Sequence, residues 1–307
     1  MAILRIENLT KDYVGGWGRR NRALSNLNLE VEAGEIFGFL GPNGAGKTTT
    51  IKILLRIIFP TAGTAWILDR KLGEADHQHK IGYMPENPYF YRFLSGREFL
   101  LFYARLAGLV GKEARKKADQ LLEIVGLSHA AKSRLSEYSK GMVTRVGLAQ
   151  ALITDPILLL LDEPMSGLDP IGRREIRDLI VHLKEEKKTI FFCSHILADV
   201  EMLCDRIAIL NRGILVKLGT VREILDGGQA QYLLSLNEVP PAAAATLKAM
   251  AVKSEEIGGI LHLTAPDREK ARTMMEQAVR EGAQVVEFRA DRGTLEDYFV
   301  REVGALE

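Results

Sequence analysis

Glu35-Ile36-Phe37-Gly38-Phe39-Leu40, running straight into Gly41-Pro42-Asn43-Gly44-Ala45-Gly46-Lys47-Thr48, decides the fold. The first half is a near-continuous apolar run, which suits a strand covered on both faces of a parallel sheet. The second half matches G-x-x-x-x-G-K-[ST], and the helical segment TTTIKILLRII follows it. Strand, glycine-rich turn and helix in that order are the context the motif requires. Gly41, Gly44 and Gly46 let the backbone curl so that successive N–H groups face phosphate oxygens. The helix start adds the positive end of its dipole. Lys47 would reach the β- and γ-phosphates of a nucleotide, and Thr48 would hold Mg²⁺.

Two further apolar runs, PILLLLDEP (156–164) and KTIFFCSH (188–195), read as buried parallel strands. Between them Ile176, Leu179, Ile180 and Leu183 form one stripe of an amphipathic helix. Strand, helix, strand implies a right-handed crossover. RIAIL-NRG-ILVKL (206–218) reads as a hairpin around Asn211-Arg212-Gly213. Asp162 ends an apolar strand, where it can orient a Mg²⁺ shell. Glu163, one residue on, can polarise a water towards the γ-phosphate. A GTPase would carry a base-reading [NT]-K-x-D after a later strand, and the sequence has none.

At the N-terminus, residues 3–10 and 24–32 alternate apolar and polar, with Leu27, Leu29 and Val31 on one face, as half-buried strands do. GGWGRRNR (15–22) between them reads as a loop. Residues 97–125 carry two helical stripes, Phe99, Phe102, Tyr103, Leu106 and then Ala118, Leu121, Leu122, Val125, so they form a helical insertion. Residues 1–219 are therefore expected to be an α/β domain with antiparallel strands at one edge.

The remaining residues, 220–307, differ in charge. They carry a net −5, against +6 for residues 1–219, within a chain whose total is +1. Their pattern is strand (231–236), helix (242–250), strands (252–255 and 260–264) around Gly258-Gly259, a helix capped by Asp267, strand (284–289) and a last helix from Thr294. The order βαββαβ suggests a small α+β domain similar to ferredoxin-like ones. It has no metal-ligand or nucleophile spacing, and His262 stands alone there.

Composition sets the outer bounds. With 26% charged and 47% hydrophobic residues in 307, the chain reads as globular. The balanced charge argues against a nucleic-acid binder. No apolar run approaches the roughly 20 residues of a membrane span. The start, MAILRIENLTKDY, does not read as a secretory signal. Cys193 and Cys204 are too few for a disulfide framework and are expected to be buried thiols in a reducing cytoplasm.

With these residues placed, residues 2–219 resemble the nucleotide-binding subunit of ATP-binding cassette (ABC) transporters. Tyr13 lies where that family stacks an aromatic on adenine, and GPNGAGKTT (41–49, through Thr49) matches its phosphate loop. IGYMPEN (81–87) resembles its Q-loop, YSKGM (138–142) its signature, LLLLDEP its second carboxylate motif, SGLDP (166–170) its D-loop and Ser194-His195 its switch histidine. The resemblance implies ATP and Mg²⁺ as cofactors, Thr48, Asp162 and Glu86 at the metal, and Glu163, His195 and Glu86 as the catalytic groups. It implies two cassettes pairing head to tail. In that pairing Ser139 and Gly141 of one copy contact the γ-phosphate held by the other, at a helix starting near Met142, and Asp169 communicates between the sites. Two motifs depart from the common pattern: Glu86 stands where glutamine is usual in the Q-loop, and Lys140 and Met142 replace a glycine and a glutamine of the signature. The variant is similar to exporters with separate permease subunits. The implied partners are thus an integral-membrane permease and a second copy, and the implied location is the cytoplasmic face of the cell membrane. The alternative is a soluble ABC ATPase acting on DNA or ribosomes. DNA-end enzymes carry a long coiled coil between Lys47 and Asp162, but only 115 residues separate them here. Of the aromatics Tyr89, Phe90, Tyr91 and Phe93 beside the Q-loop, some are expected to line an exposed groove for a permease helix. The domain 220–307 is expected to be accessory, serving dimer contacts or regulation.

Overall fold

The structure is a computed structural model that describes residues 2–14, 20–74, 78–88, 90–226, 231–291 and 294–303. The chain divides into two compact units, Met1–Thr220 and Val221–Glu307.

In the first unit, β1 (Ala2–Val14) and β2 (Arg20–Glu32) pair antiparallel. Their alternation places Ile6, Leu27, Leu29 and Val31 in the core. Arg20 to Arg22 belong to β2 and not to the expected loop. The Arg22 guanidinium donates twice to Asp12 across the strands, at 2.8 and 3.2 Å, which extends the pairing; residues 15–19 lie outside the described residues. With β4 (Ala62–Ile67) and β5 (Arg70–Lys71) these strands form a sheet of order β2-β1-β4-β5.

The second sheet carries the chemistry. β3 (Ile36–Leu40) leads into α1 (Lys47–Leu54). The sheet continues with β6 (Ile81–Met84), β7 (Leu158–Asp162), β8 (Thr189–Ser194), β9 (Arg206–Asn211) and β10 (Ile214–Thr220). Its order is β10-β9-β3-β8-β7-β6, parallel throughout except for β10. Every residue of β3, β7 and β8 is buried, as apolar runs require when both faces are covered. The β9–β10 turn has Arg212 and Gly213 at φ 47° and 80°, the left-handed pair that two-residue hairpins favour.

Between β6 and β7 stand α2 (Gly96–Leu106), α3 (Gly111–Ile124) and α4 (Lys140–Ala151). Ser95 and Glu98 cap α2 reciprocally, the Ser95 hydroxyl accepting from the Glu98 N–H at 3.3 Å and the Glu98 carboxylate from the Ser95 N–H at 2.9 Å. The buried stripe of α2 is Phe99, Leu100 and Ala104, whereas Phe102 and Leu106 are exposed. The helix packs against both α3 and α4, and this turns the expected stripe. After β7 and β8 come α5 (Pro170–Glu185) and α6 (Leu197–Leu203). Both cysteines are buried, and burial pushes their thiols up.

The second unit begins with α7 (Val221–Asp226). Then follow β11 (Gln231–Asn237), α8 (Pro241–Met250), β12 (Lys253–Ile257), β13 (Ile260–Ala265), α9 (Arg268–Arg280), β14 (Gln284–Asp291) and α10 (Leu295–Val303). The sheet is fully antiparallel, in the order β12-β13-β11-β14. Leu234, Leu236, Leu261 and Leu263 pack against Leu247 of α8 and Met274 and Ala278 of α9. Asp267 caps α9 by accepting from the Lys270 N–H at 2.8 Å. His262 has a structural contact: its Nδ1 lies 2.8 Å from the Oγ of buried Ser235, its neighbour across the β11–β13 pair.

Candidate functional site

The parallel strands β3, β7 and β8 end side by side, and their C-terminal ends build the site. This is where open α/β sheets bind ligands. Two glycines of the first turn are fixed by geometry. A side chain at Gly41 would collide with the Leu210 carbonyl, and Gly46 caps α1 at φ 112° with the Ala23 carbonyl against it. The turn thus presses against its neighbours while its other side stays open. There an open cleft of about 400 Å³ is lined by residues 42–49 together with Glu86, Glu163, Ser166 and His195. Gly41 and Asp162 lie behind this lining.

Lys47 is buried. Its ammonium donates to the Gly41 carbonyl at 2.6 Å and lies 3.4 Å from a Glu163 carboxylate oxygen. Thr48 donates its hydroxyl to Asp162 Oδ2 at 3.0 Å, while Asp162 Oδ1 is buried with no hydrogen-bond partner. Burial pushes the Asp162 carboxyl up, and the neighbouring Glu163 and Glu86 add to this; Thr48 and Lys47 act against it. A hydroxyl and a buried carboxylate with a spare lone pair, all oxygen, suit a hard divalent cation. Among the described residues no group of three His, Cys, Asp or Glu side chains could hold a metal alone. A cation here would need its other ligands from phosphate and water.

Glu163 sits at φ 50°, off the end of β7, and its N–H donates to the Cys193 carbonyl at 3.0 Å. That turn swings its carboxylate into the cleft. The Oε2 atom lies 2.8 Å from His195 Nδ1 and also accepts from the His195 N–H at 3.3 Å. A carboxylate held by a histidine on one oxygen and facing a lysine with the other is oriented to accept a proton from water.

Other expected residues stand outside the cleft. The Tyr13 hydroxyl lies 3.5 Å from Thr49 Oγ1 and the Lys11 ammonium 5.2 Å from the Tyr13 ring centroid, so this half-exposed ring stands close to the start of α1. Ser139 is exposed and Gly141 half-buried, and Ser139 caps α4 by accepting from the Met142 N–H at 3.3 Å. The helix therefore begins at Lys140, two residues before the expected Met142, because Ser139 is a good cap. Asp169 caps α5, accepting from the Gly172 N–H at 2.8 Å.

The ABC transporter family matches residues 24–166. An ABC transporter ATP-binding protein of Synechocystis is 40% identical over 98% of this chain and 84% of its own length. The chain belongs to the ABC transporter family. The bacitracin transport ATP-binding protein of Bacillus licheniformis is 36% identical over 99% of this chain and 98% of its own length. A solved dimer of an ATP-binding cassette, in a post-hydrolysis state bound to ADP and Pi, is 27% identical with a TM-score of 0.62, covering 71% of this chain and 98% of the other. The chain is thus an ABC ATP-binding subunit with ATPase chemistry, and no helix among its described residues is long and apolar enough to cross a membrane.

Within this ABC subunit, two features go beyond the expected site residues. Ser166 lines the cleft from the D-loop. The Lys140 side chain lies over Gly167, so the lysine that departs from the usual signature packs against the D-loop of its own copy.

Proposed function

We propose that this chain is the ATP-hydrolysing subunit of an exporter that works through a separate membrane permease, from the cytoplasmic face. The observation that carries the catalytic part is the chain of contacts Lys47–Glu163–His195 at the open cleft, 3.4 and 2.8 Å long. The N–H groups of residues 43–48 and the Lys47 ammonium take the phosphates, and Lys47 leaves Glu163 to do so. Glu163, kept in place by His195, then takes a proton from the water that attacks the γ-phosphate. Thr48 and Asp162, with Glu86 across the cleft, would hold Mg²⁺, which when bound neutralises phosphate charge.

Ser139, Lys140 and Gly141 open α4 at the surface, and a helix N-terminus suits an anion. In a pair of cassettes this end would meet the γ-phosphate held by the partner copy, and Asp169 would border the same junction. The dimeric solved relative supports that arrangement. Tyr91, Phe93 and Phe102 supply the permease surface: they are 50%, 70% and 38% exposed, and Phe93 and Phe102 each touch Tyr91. Phe90 is buried against Phe99, and Tyr89 lies outside the described residues. Export is favoured by relatives named for bacitracin transport and linearmycin resistance; the alternative of a DNA or ribosome ATPase draws no support from them. The acidic unit 220–307 would serve dimer contacts or regulation.

Glu163→Gln tests the reading. The variant is expected to bind ATP, lose hydrolysis and accumulate as a dimer by size-exclusion chromatography with ATP. Wild-type turnover in that variant would end it. For the permease surface, Phe93→Ala is expected to abolish transport in cells while ATPase activity of the isolated subunit stays unchanged.

A further inference from the structure

Helices α5 and α6 each begin beside the site, α5 directly after Asp169 and α6 two residues after His195. One turn past the histidine sits Asp199, a carboxylate with no role in the chemistry above. It is 3% exposed, and its Oδ2 is buried without a hydrogen-bond partner. Burial pushes this carboxyl up, and two guanidiniums of α5, Arg173 and Arg177, pull it down. Neither makes an ion pair with it. The Arg173 Nε is spent on the Leu168 carbonyl at 3.2 Å, inside the D-loop. One Arg177 Nη reaches the Met202 thioether, a weak acceptor, and its Nε is buried with no partner. An unpaired acceptor on one helix thus stands in the field of an unpaired donor on its neighbour. Buried groups of this kind are rare in folded proteins and call for an explanation.

We propose that Asp199 is a positioning residue, linking the helix that follows His195 to the D-loop through Arg173 and Arg177. Arg173 is the shared member. It holds the Leu168 carbonyl, and with it the segment ending in Asp169, and it answers the charge one turn beyond His195. A small advance of α6 with His195 closes Asp199 onto the α5 guanidiniums and draws on the D-loop, so the state of the γ-phosphate is felt where the second copy docks. The proposal rests on the reading of His195 and residues 166–169 given under Proposed function.

The test is ATP turnover by the full-length chain. Asp199→Asn keeps the shape and removes the charge; kcat is expected to fall roughly tenfold while KM for ATP changes less than about twofold. Asp199→Glu is expected to return kcat to within about threefold of wild type, since charge and not shape is at issue. Arg173→Met should reproduce the loss, and the double variant should be no slower than the slower single. The proposal is overturned by unchanged kcat in Asp199→Asn, by an Asp199→Glu enzyme as slow as Asp199→Asn, or by losses that multiply in the double variant. Should Asp199→Asn fail to fold, Arg173→Met decides alone, and wild-type kcat there overturns it. Glu163→Gln separates the two readings. If it keeps turnover, the site itself is misread and the link falls with it; if it abolishes turnover while Asp199→Asn does not, the link alone falls.

Discussion

Two histidines of this chain make a side-chain contact of the same length and do different things. His195 Nδ1 lies 2.8 Å from Glu163, and His262 Nδ1 lies 2.8 Å from Ser235. The surroundings separate them. Glu163 sits in the left-handed region at a strand end, within reach of Lys47 and open to the cleft. Ser235 lies in the middle of the regular β11–β13 ladder and is 1% exposed. The first pair is held against local backbone preference by a charged network. The second satisfies a buried hydroxyl, as buried polar groups require. Hydrogen-bond geometry alone therefore identifies neither; a positive φ and a converging charge do.

The largest way to break the contrast is Glu163→Gln. The amide keeps the volume and can still meet His195, yet it cannot take a proton, so hydrolysis should fall roughly 10²–10⁴-fold with nucleotide binding retained. Phosphate release against a nucleotide-binding assay checks both halves. His195→Ala should come next, at about 10²-fold in kcat, because Glu163 loses the group that orients it. Lys47→Ala differs in kind: it should weaken ATP binding by about 1.5–3 kcal/mol, read by titration with a fluorescent nucleotide.

How much of this was legible in the sequence follows from the range of the interactions. The loop 41–48, the strand-end carboxylates and His195 are local patterns, each a few residues long and flanked by apolar runs. The unit 220–307 is readable for the same reason, since its strands and helices alternate cleanly and Asp267 signals a cap. Contacts distant in sequence left no trace: Lys47 with Glu163, Ser235 with His262, and Lys140 with Gly167. The Asp199 carboxylate reads in sequence as an ordinary helix residue, and only burial exposes it. Phe102 and Leu106 misled because an amphipathic stripe gives the period of a helix, whereas the buried side depends on which neighbours it meets. The short strands Ala62–Ile67 and Arg70–Lys71 hold too few residues for a period to emerge.

The smallest expected effect sharpens the comparison from the other side. Ser235→Ala removes the hydroxyl under His262 without opening a large cavity. The half-buried imidazole can turn to water, so the loss is that of one net hydrogen bond, about 0.5–1.5 kcal/mol. Urea unfolding should record this as a lower midpoint with an unaltered slope. The ATPase rate and the affinity for ATP should stay at wild type, because no group of the cleft is touched. His262→Ala should behave alike, and the double variant should cost less than the two singles added, since both remove the same bond. A change in turnover in either single variant would show that the second histidine serves the ATPase cycle, and the division drawn between the two pairs would fail.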